Sequence, residues 1–294
     1  MKIDFHSESI AGSYASRTAD EGWMERMRAI TDPHGKVVAD IGCGGGIYSR
    51  AWSDLGAGRV LGIDFSARMV TDATAASGEY PTVSFTEGDA TNTGLPDASV
   101  DIVFERALIH HLPDLAAAFA EAKRILKPGG MLVVQDRTIE DVMRPASPEH
   151  VRGYFFEAFP RLLDVERERR PDTHSVVDAM RDADFGAVTT HALTETRRVY
   201  GSAQELEADL RSRTGRSILH ELDDAEMETL IQFIGERVAG SFPVHEADHW
   251  TIWTGTSEGT DASPATDTIR RAISRPSPIV GAPVIEVSLS PAPG

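Results

Sequence analysis

Residues 36–50 read K-V-V-A-D-I-G-C-G-G-G-I-Y-S-R. Val37, Val38, Ala39 and Ile41 form a short apolar run of buried-strand character, closed by Asp40 and a glycine cluster. Ile47, Tyr48, Ala51, Trp52 and Leu55 then recur at helical spacing. The reading is strand, tight turn, helix. Only glycine lets a backbone bend this sharply and bring its N–H groups against a ligand, and the following helix offers a partly positive N-terminus. An anionic or polar ligand is expected, with a dinucleotide and S-adenosylmethionine as the two candidates. The dinucleotide fingerprint G-x-G-x-x-G, counted from Gly42 and Gly44, requires glycine where this chain has Ile47. That weakens the dinucleotide reading.

Outward from this turn the same unit repeats. R-V-L-G-I-D (59–64) reads as a second strand ending in Asp64, followed by a helix capped by Ser66. T-V-S-F-T-E-G-D-A gives a short strand before Asp89, and V-D-I-V-F-E-R a fourth strand ending in Glu105 and Arg106. A helix follows over D-L-A-A-A-F-A-E-A-K-R-I-L, and M-L-V-V-Q-D is a fifth strand ending in Asp136. Strands alternating with helices across short connections imply a parallel sheet wound on both faces, with its ligand at the carboxyl ends of the strands. Five such ends deliver Asp40, Asp64, Asp89, the Glu105-Arg106 pair and Asp136 to one rim.

Upstream, residues 8–30 carry two amphipathic helical segments, one with Tyr14 and one with Trp23, Met24, Met27 and Ile30. Downstream, residues 138–172 change character: prolines interrupt a segment bearing Tyr154, Phe155, Phe156, Phe159 and the charged run E-R-E-R-R. The charged run reads as a solvated helix face; the aromatic cluster either seals the domain edge or forms a lid over a pocket. Helices near 174–184, 203–213 and 223–239 and strands near 187–199 and 249–255 complete the pattern, the late strands as an antiparallel end to the sheet. The expected organisation is an N-terminal helical cover (1–35), a domain over 36–256 with helical insertions at 138–172 and 200–240, and a disordered tail rich in Pro, Ser and Ala (257–294).

Composition limits the function. A chain of 294 residues with 41% hydrophobic content builds a substantial core, and no apolar run reaches the roughly 20 residues of a membrane span. The N-terminus lacks the basic and apolar regions of a secretory signal, so a cytoplasmic location is expected. A single cysteine, Cys43, excludes an internal disulfide framework. The net charge of -17 repels a phosphate backbone, which disfavours nucleic acid and favours a small-molecule substrate.

Read together, these segments resemble the class I S-adenosylmethionine-dependent methyltransferases, of the type that includes the quinone-biosynthesis C-methyltransferases. Asp40, Gly42, Gly44 and Gly46 follow the D-x-G-x-G-x-G of the first motif, and V-L-G-I-D-F-S-A-R-M resembles the motif with the ribose-binding acid. F-T-E-G-D-A resembles the adenine-contacting motif, V-D-I-V-F-E-R-A-L-I-H-H-L the fourth motif, and R-I-L-K-P-G-G-M-L-V-V the signature of the fifth strand. The resemblance implies a Rossmann-like α/β fold, doubly wound, with seven strands in the order 3-2-1-4-5-7-6, the last antiparallel, under a helical cover. It implies S-adenosyl-L-methionine as cofactor, held by Tyr14, Asp40, Gly42, Cys43, Gly44, Gly46, Asp64, Phe65, Met69, Asp89, Ala90 and the backbone around Glu105. Asp64 would take the ribose hydroxyls and Asp89 with Ala90 the adenine edge. The E-R of the fourth strand departs from the small residues that many relatives carry there.

The implied activity is methyl transfer to a carbon, oxygen or nitrogen of a small molecule, by a monomer or homodimer; a cofactor-binding subunit without its own transfer is the alternative. F-E-R-A in place of D/N/S-P-P-aromatic disfavours methylation of nucleic-acid bases. His110 follows the fourth strand and Asp136 ends the fifth, so the implied strand order lets both reach one pocket, as a general base and its orienting carboxylate. Arg106 is the candidate anchor for a substrate anion, and Tyr154 and Phe155 are candidate pocket walls. The adjacent histidines of H-H-L-P-D point about 100 degrees apart on a helix and do not chelate together, so no metal is expected.

Overall fold

The computed structural model describes residues 19–258. The chain runs α1 (Glu21–Ile30), β1 (Val37–Ile41), α2 (Ile47–Asp54), β2 (Arg59–Asp64), α3 (Ala67–Ala76), β3 (Val83–Glu87), β4 (Val100–Arg106), α4 (Leu115–Ile125), β5 (Leu126–Asp136) and α5 (Ile139–Val142). It continues α6 (Arg152–Ala158), α7 (Arg161–Arg169), α8 (Thr173–Asp182), β6 (Phe185–Tyr200), α9 (Ala203–Ser212), α10 (Asp224–Val238) and β7 (Val244–Ser257), with single 3₁₀ turns at Ile109–His111 and Ser217–Glu221. The expected caps are made: the Ser66 side chain accepts from the Met69 N–H, and Asp114 from that of Ala117. Each cap satisfies one of the N–H groups a helix start leaves unbonded.

The strands form one seven-stranded sheet in the order β3-β2-β1-β4-β5-β7-β6, in which β7 runs antiparallel to both neighbours and the first five strands pair in parallel. This is the Rossmann-like order expected above. β5 begins earlier than the M-L-V-V run suggested, taking K-P-G-G into the strand, with a register shift between Val100 and Ile102 of β4.

Alternation along the central strands feeds two cores. Val38, Ile102, Phe104 and Val133 pack with Trp23, Met27 and Trp52 of α1 and α2. Ala39, Ile41, Val103 and Val134 pack on the other face with Phe119, Val176 and Met180 of α4 and α8. The register sets Asp40 beside Gly62 and Phe104, Ile41 beside Ile63 and Glu105, and Glu105 beside Val134, which brings the ends of β1, β2, β4 and β5 to one edge.

A third core lies within the helical segments. Tyr154, Phe155, Leu162, Leu206, Leu219, Leu230 and Ile234 pack together with Tyr200 and Val244 from the ends of β6 and β7. Phe155, an expected pocket wall, is completely buried in this core, and Tyr154 is buried beside it. The E-R-E-R-R run also differs from expectation. Glu166 and Arg170 are buried and only part of the run faces solvent, because positions 166, 169 and 170 share one face of α7, turned toward β5. Tyr14 and the tail beyond residue 258 lie outside the described residues.

Candidate active site

At the end of β1 the chain turns under the carbonyl of Ile63, which accepts the N–H groups of Gly42 (2.8 Å) and Cys43 (3.1 Å). Gly42, Gly44 and Gly46 have φ of +71°, +51° and +74°, the left-handed region that disfavours a side chain. At Gly46 a Cβ would also stand 2.6 Å from the ring of Phe85. The loop thus lies close against β3, which needs glycine twice over. Asp64 organises it: one carboxylate oxygen accepts the Gly44 N–H and the other the Ser66 N–H, each at 2.9 Å. Asp40 accepts the Ser49 hydroxyl at 2.5 Å. Burial raises the Asp40 pKa to about 7, the Ser49 hydroxyl opposing and the charge of Asp64 assisting the rise.

On the face shared with α4, β4 contributes Glu105, the 3₁₀ turn after it His110, and β5 Asp136. His110 Nδ1 lies 2.8 Å from Asp136 Oδ2, and the Arg137 N–H (2.7 Å) and Arg170 guanidinium (3.2 Å) also donate to Asp136. Despite burial, His110 and these donors hold Asp136 well below the usual carboxylate range. An ionised carboxylate only accepts, so the Nδ1 of neutral His110 carries the proton and Nε2 keeps its lone pair. Burial lowers the His110 pKa, with Asp136 opposing, so the imidazole is neutral near pH 7. The structure brings the two residues of the expected base pair into contact. Glu105 is fully buried and neither of its oxygens has a hydrogen-bond partner among the described residues.

Arg106 is placed differently from its expected role. Its guanidinium is sandwiched between the rings of Tyr48 (4.0 Å) and Trp250 (4.1 Å) and bonds Glu195 at 3.0 Å. Glu195 also takes the Tyr48 hydroxyl and the Gln135 amide, and Gln135 takes the Trp23 indole N–H. Strand alternation turns Arg106 to the face opposite Glu105, where it meets α2, β6 and β7.

Of the other expected contacts, Asp89 is exposed and bonded to the Thr91 N–H and hydroxyl, with Ala90 buried beside it. Phe65 is 47% exposed, an apolar face next to Asp64, while Met69 is buried in the first turn of α3. Cys43 is half-buried in the loop, and burial raises its thiol pKa well above the ordinary value. No group of three or more potential metal ligands occurs among the described residues. Sequence reading missed Glu195, Gln135 and Trp250, which lie far along the chain from the residues they meet, and the burial of Glu166 and Arg170. For Glu166 and Arg170 a signal existed in the i, i+4 spacing that puts both on one helix face.

Residues 39–134 match the family model described as Methyltransferase domain. Over 159 residues the chain is 31% identical to a malonyl-[acyl-carrier protein] O-methyltransferase of Pectobacterium atrosepticum, covering 53% of this chain and 56% of that protein. It is 39% identical over 106 residues to a 2-methyl-6-phytyl-1,4-hydroquinone methyltransferase of Synechocystis, covering 36% of this chain and 33% of that protein. The chain spans about half the length of the first two curated relatives it matches. A solved chain from Anabaena variabilis, described as a methyltransferase of an antibiotic biosynthesis pathway, superposes with a TM-score of 0.65 at 22% identity, over 85% of this chain and all of that one. This likeness concerns the fold.

Proposed function

We propose that this chain, which carries the class I S-adenosylmethionine-dependent methyltransferase domain, transfers a methyl group from S-adenosyl-L-methionine to a small-molecule acceptor. The observation that carries the reading is the glycine loop, crossed by the end of β2 and followed by a rim of buried acids. The loop amides and Asp64 would hold the cofactor, with Asp64 on the ribose and Asp89 and Ala90 at the adenine edge. The left-handed glycines and the orphaned Glu105 fit a ligand that approaches backbone closely and carries positive charge. The cofactor supplies an electrophilic methyl on sulfur, so the protein's own work is positioning the acceptor and managing its proton.

His110 is suited to that second task. Its neutral imidazole, oriented through Nδ1 by ionised Asp136, offers Nε2 to a proton on an acceptor oxygen, nitrogen or acidic carbon. Arg170 and the Arg137 N–H keep Asp136 ionised, and so keep the tautomer. An accessory subunit without transfer would have no use for this pair, which disfavours the alternative. No described helix is long and apolar enough to cross a membrane, and we place the enzyme in the cytoplasm as a monomer or homodimer.

The test is transfer of label from methyl-labelled cofactor into the small-molecule fraction of a cell extract, followed by kinetics on the labelled acceptor. His110→Ala and Asp136→Asn should lower kcat by about 10²–10⁴ while cofactor binding, measured separately, persists. No labelled product refutes the activity. Full kcat in both variants refutes the general base and leaves positioning alone.

A further inference from the structure

The part of the rim built by β1 and β4 carries acid that it does not neutralise. Glu105 is 0% exposed, and both its oxygens lack hydrogen-bond partners among the described residues. The register fixes its place: it pairs with Ile41, the residue before Gly42, and with Val134, two residues before Asp136, all on one sheet face. The charged groups around it are already engaged. On β5, Asp136 is committed to His110 and Arg170; on the 3₁₀ turn, His110 directs Nδ1 at Asp136; on β4, Arg106 turns to the opposite face and binds Glu195. Across β1, Asp40 accepts the Ser49 hydroxyl, its one side-chain bond among the described residues, with the Arg106 charge also acting on it. A fully buried carboxyl without a partner, one residue from a ligand-binding loop, is arranged for a ligand that brings positive charge.

Resting on the cofactor reading above, we propose that Glu105 is the counter-charge for the sulfonium of the methyl donor. Through it the rim distinguishes the charged donor from its neutral thioether product. Burial raises the Glu105 pKa to about 8, the charge of Asp136 adding to the rise, so near neutral pH the group holds a proton. Against the sulfonium it gives that proton to solvent and becomes the carboxylate. When the acceptor's electron pair takes the methyl, the carbon–sulfur pair stays on sulfur, the positive charge there disappears, and Glu105 regains a proton from solvent. The product is then held without the ion pair and leaves more readily.

The experiment is calorimetric titration of the full chain with S-adenosylmethionine and with S-adenosylhomocysteine, near pH 7.5, in buffers of different ionisation enthalpy. It counts the protons released on binding and needs no acceptor. The wild type should release more protons with the donor than with the product. Glu105→Gln, uncharged and of the same shape, should abolish that difference and weaken donor binding about tenfold or more, with product affinity within about twofold. Asp72→Asn, in the exposed pair with Arg68 on α3, should leave the difference in place. Equal proton release in the wild type, or a difference that survives Glu105→Gln or vanishes in Asp72→Asn, overturns the proposal. If Glu105→Gln does not fold, the wild-type proton count decides. A wild type that binds neither compound refutes the cofactor reading itself, which binding with equal proton release does not.

Discussion

At the ends of β1 and β4, Asp40 is buried with the Ser49 hydroxyl and Glu105 with no hydrogen-bond partner among the described residues, and burial lifts their pKa values to about 7 and about 8. On β5 and α7, Asp136 and Glu166 are buried as completely, yet both are held well below the ordinary carboxylate range. The difference is the partner: His110 and Arg170 face Asp136, and arginines surround Glu166. Glu166 meets Arg152, Arg169 and Arg170, and Arg170 reaches on to Asp136. Farther along the sheet, Arg197 and Arg216 hold Asp209 at about 2. Burial alone therefore does not set the charge of an acid; the partner does. In the clamped half the buried acids already meet their counter-charges. In the other half, neither Asp40 nor Glu105 bonds a cationic side chain among the described residues.

The largest effect should come from breaking the clamped half. Glu166→Ala leaves three arginines around a vacated buried position and should cost about 3–5 kcal/mol of stability in a denaturant titration. A loss under about 1 kcal/mol would mean that the clamp does not secure α7 to β5. In the other half, Asp64→Ala should lower S-adenosylmethionine affinity about ten- to a hundredfold, because it removes both a ligand acceptor and the group that positions the Gly44 and Ser66 amides. Unchanged affinity in a folded variant would dismiss that assignment.

The halves should also part in their pH dependence. Glu166 and Asp136 bind protons more weakly folded than unfolded, so their contribution is present above about pH 4 and is lost as the medium is acidified through their depressed values. Glu105 binds its proton more tightly when folded, so its effect has the opposite sign: stability falls as pH rises from about 4.5 to about 8. Urea titrations of Glu105→Gln should therefore give a flatter curve across that window than the wild type, with the acid limb unchanged; parallel curves would show that Glu105 is not protonated. The smallest effect belongs to a pair outside either half. Arg68 and Asp72, one turn apart on α3 and largely in water, should contribute within about 0.5 kcal/mol, tested by Arg68→Ala.

How far the site was legible varied with the distance over which each feature is decided. The glycine loop and the acid after each strand could be read because both are local: left-handed backbone demands glycine wherever it occurs. The contact of His110 with Asp136 followed from placing β4 and β5 side by side, an order supplied by the family resemblance rather than by periodicity. Arg106 was legible as a residue and not as a role, since its direction depends on strand alternation and its partners lie on α2, β6 and β7. The aromatics at 154–159 could be read as apolar, but which apolar surface they fill depends on helices 50 to 80 residues later.

By itself, the sequence determined the strand and helix units, the turns that join them and the rim on which the acids stand. Each of these follows from sterics, capping and hydrophobic period within a few residues. Only the tertiary structure decided which charges are satisfied. Glu105, Glu166 and Arg170 are all charged residues in the chain; the i, i+4 spacing pairs Glu166 with Arg170, but nothing near them in sequence says that their face is buried or that Glu105 is buried alone. Desolvation and ion pairing act across space, and their balance is settled when β5, α7 and the glycine loop come to the same edge of the sheet.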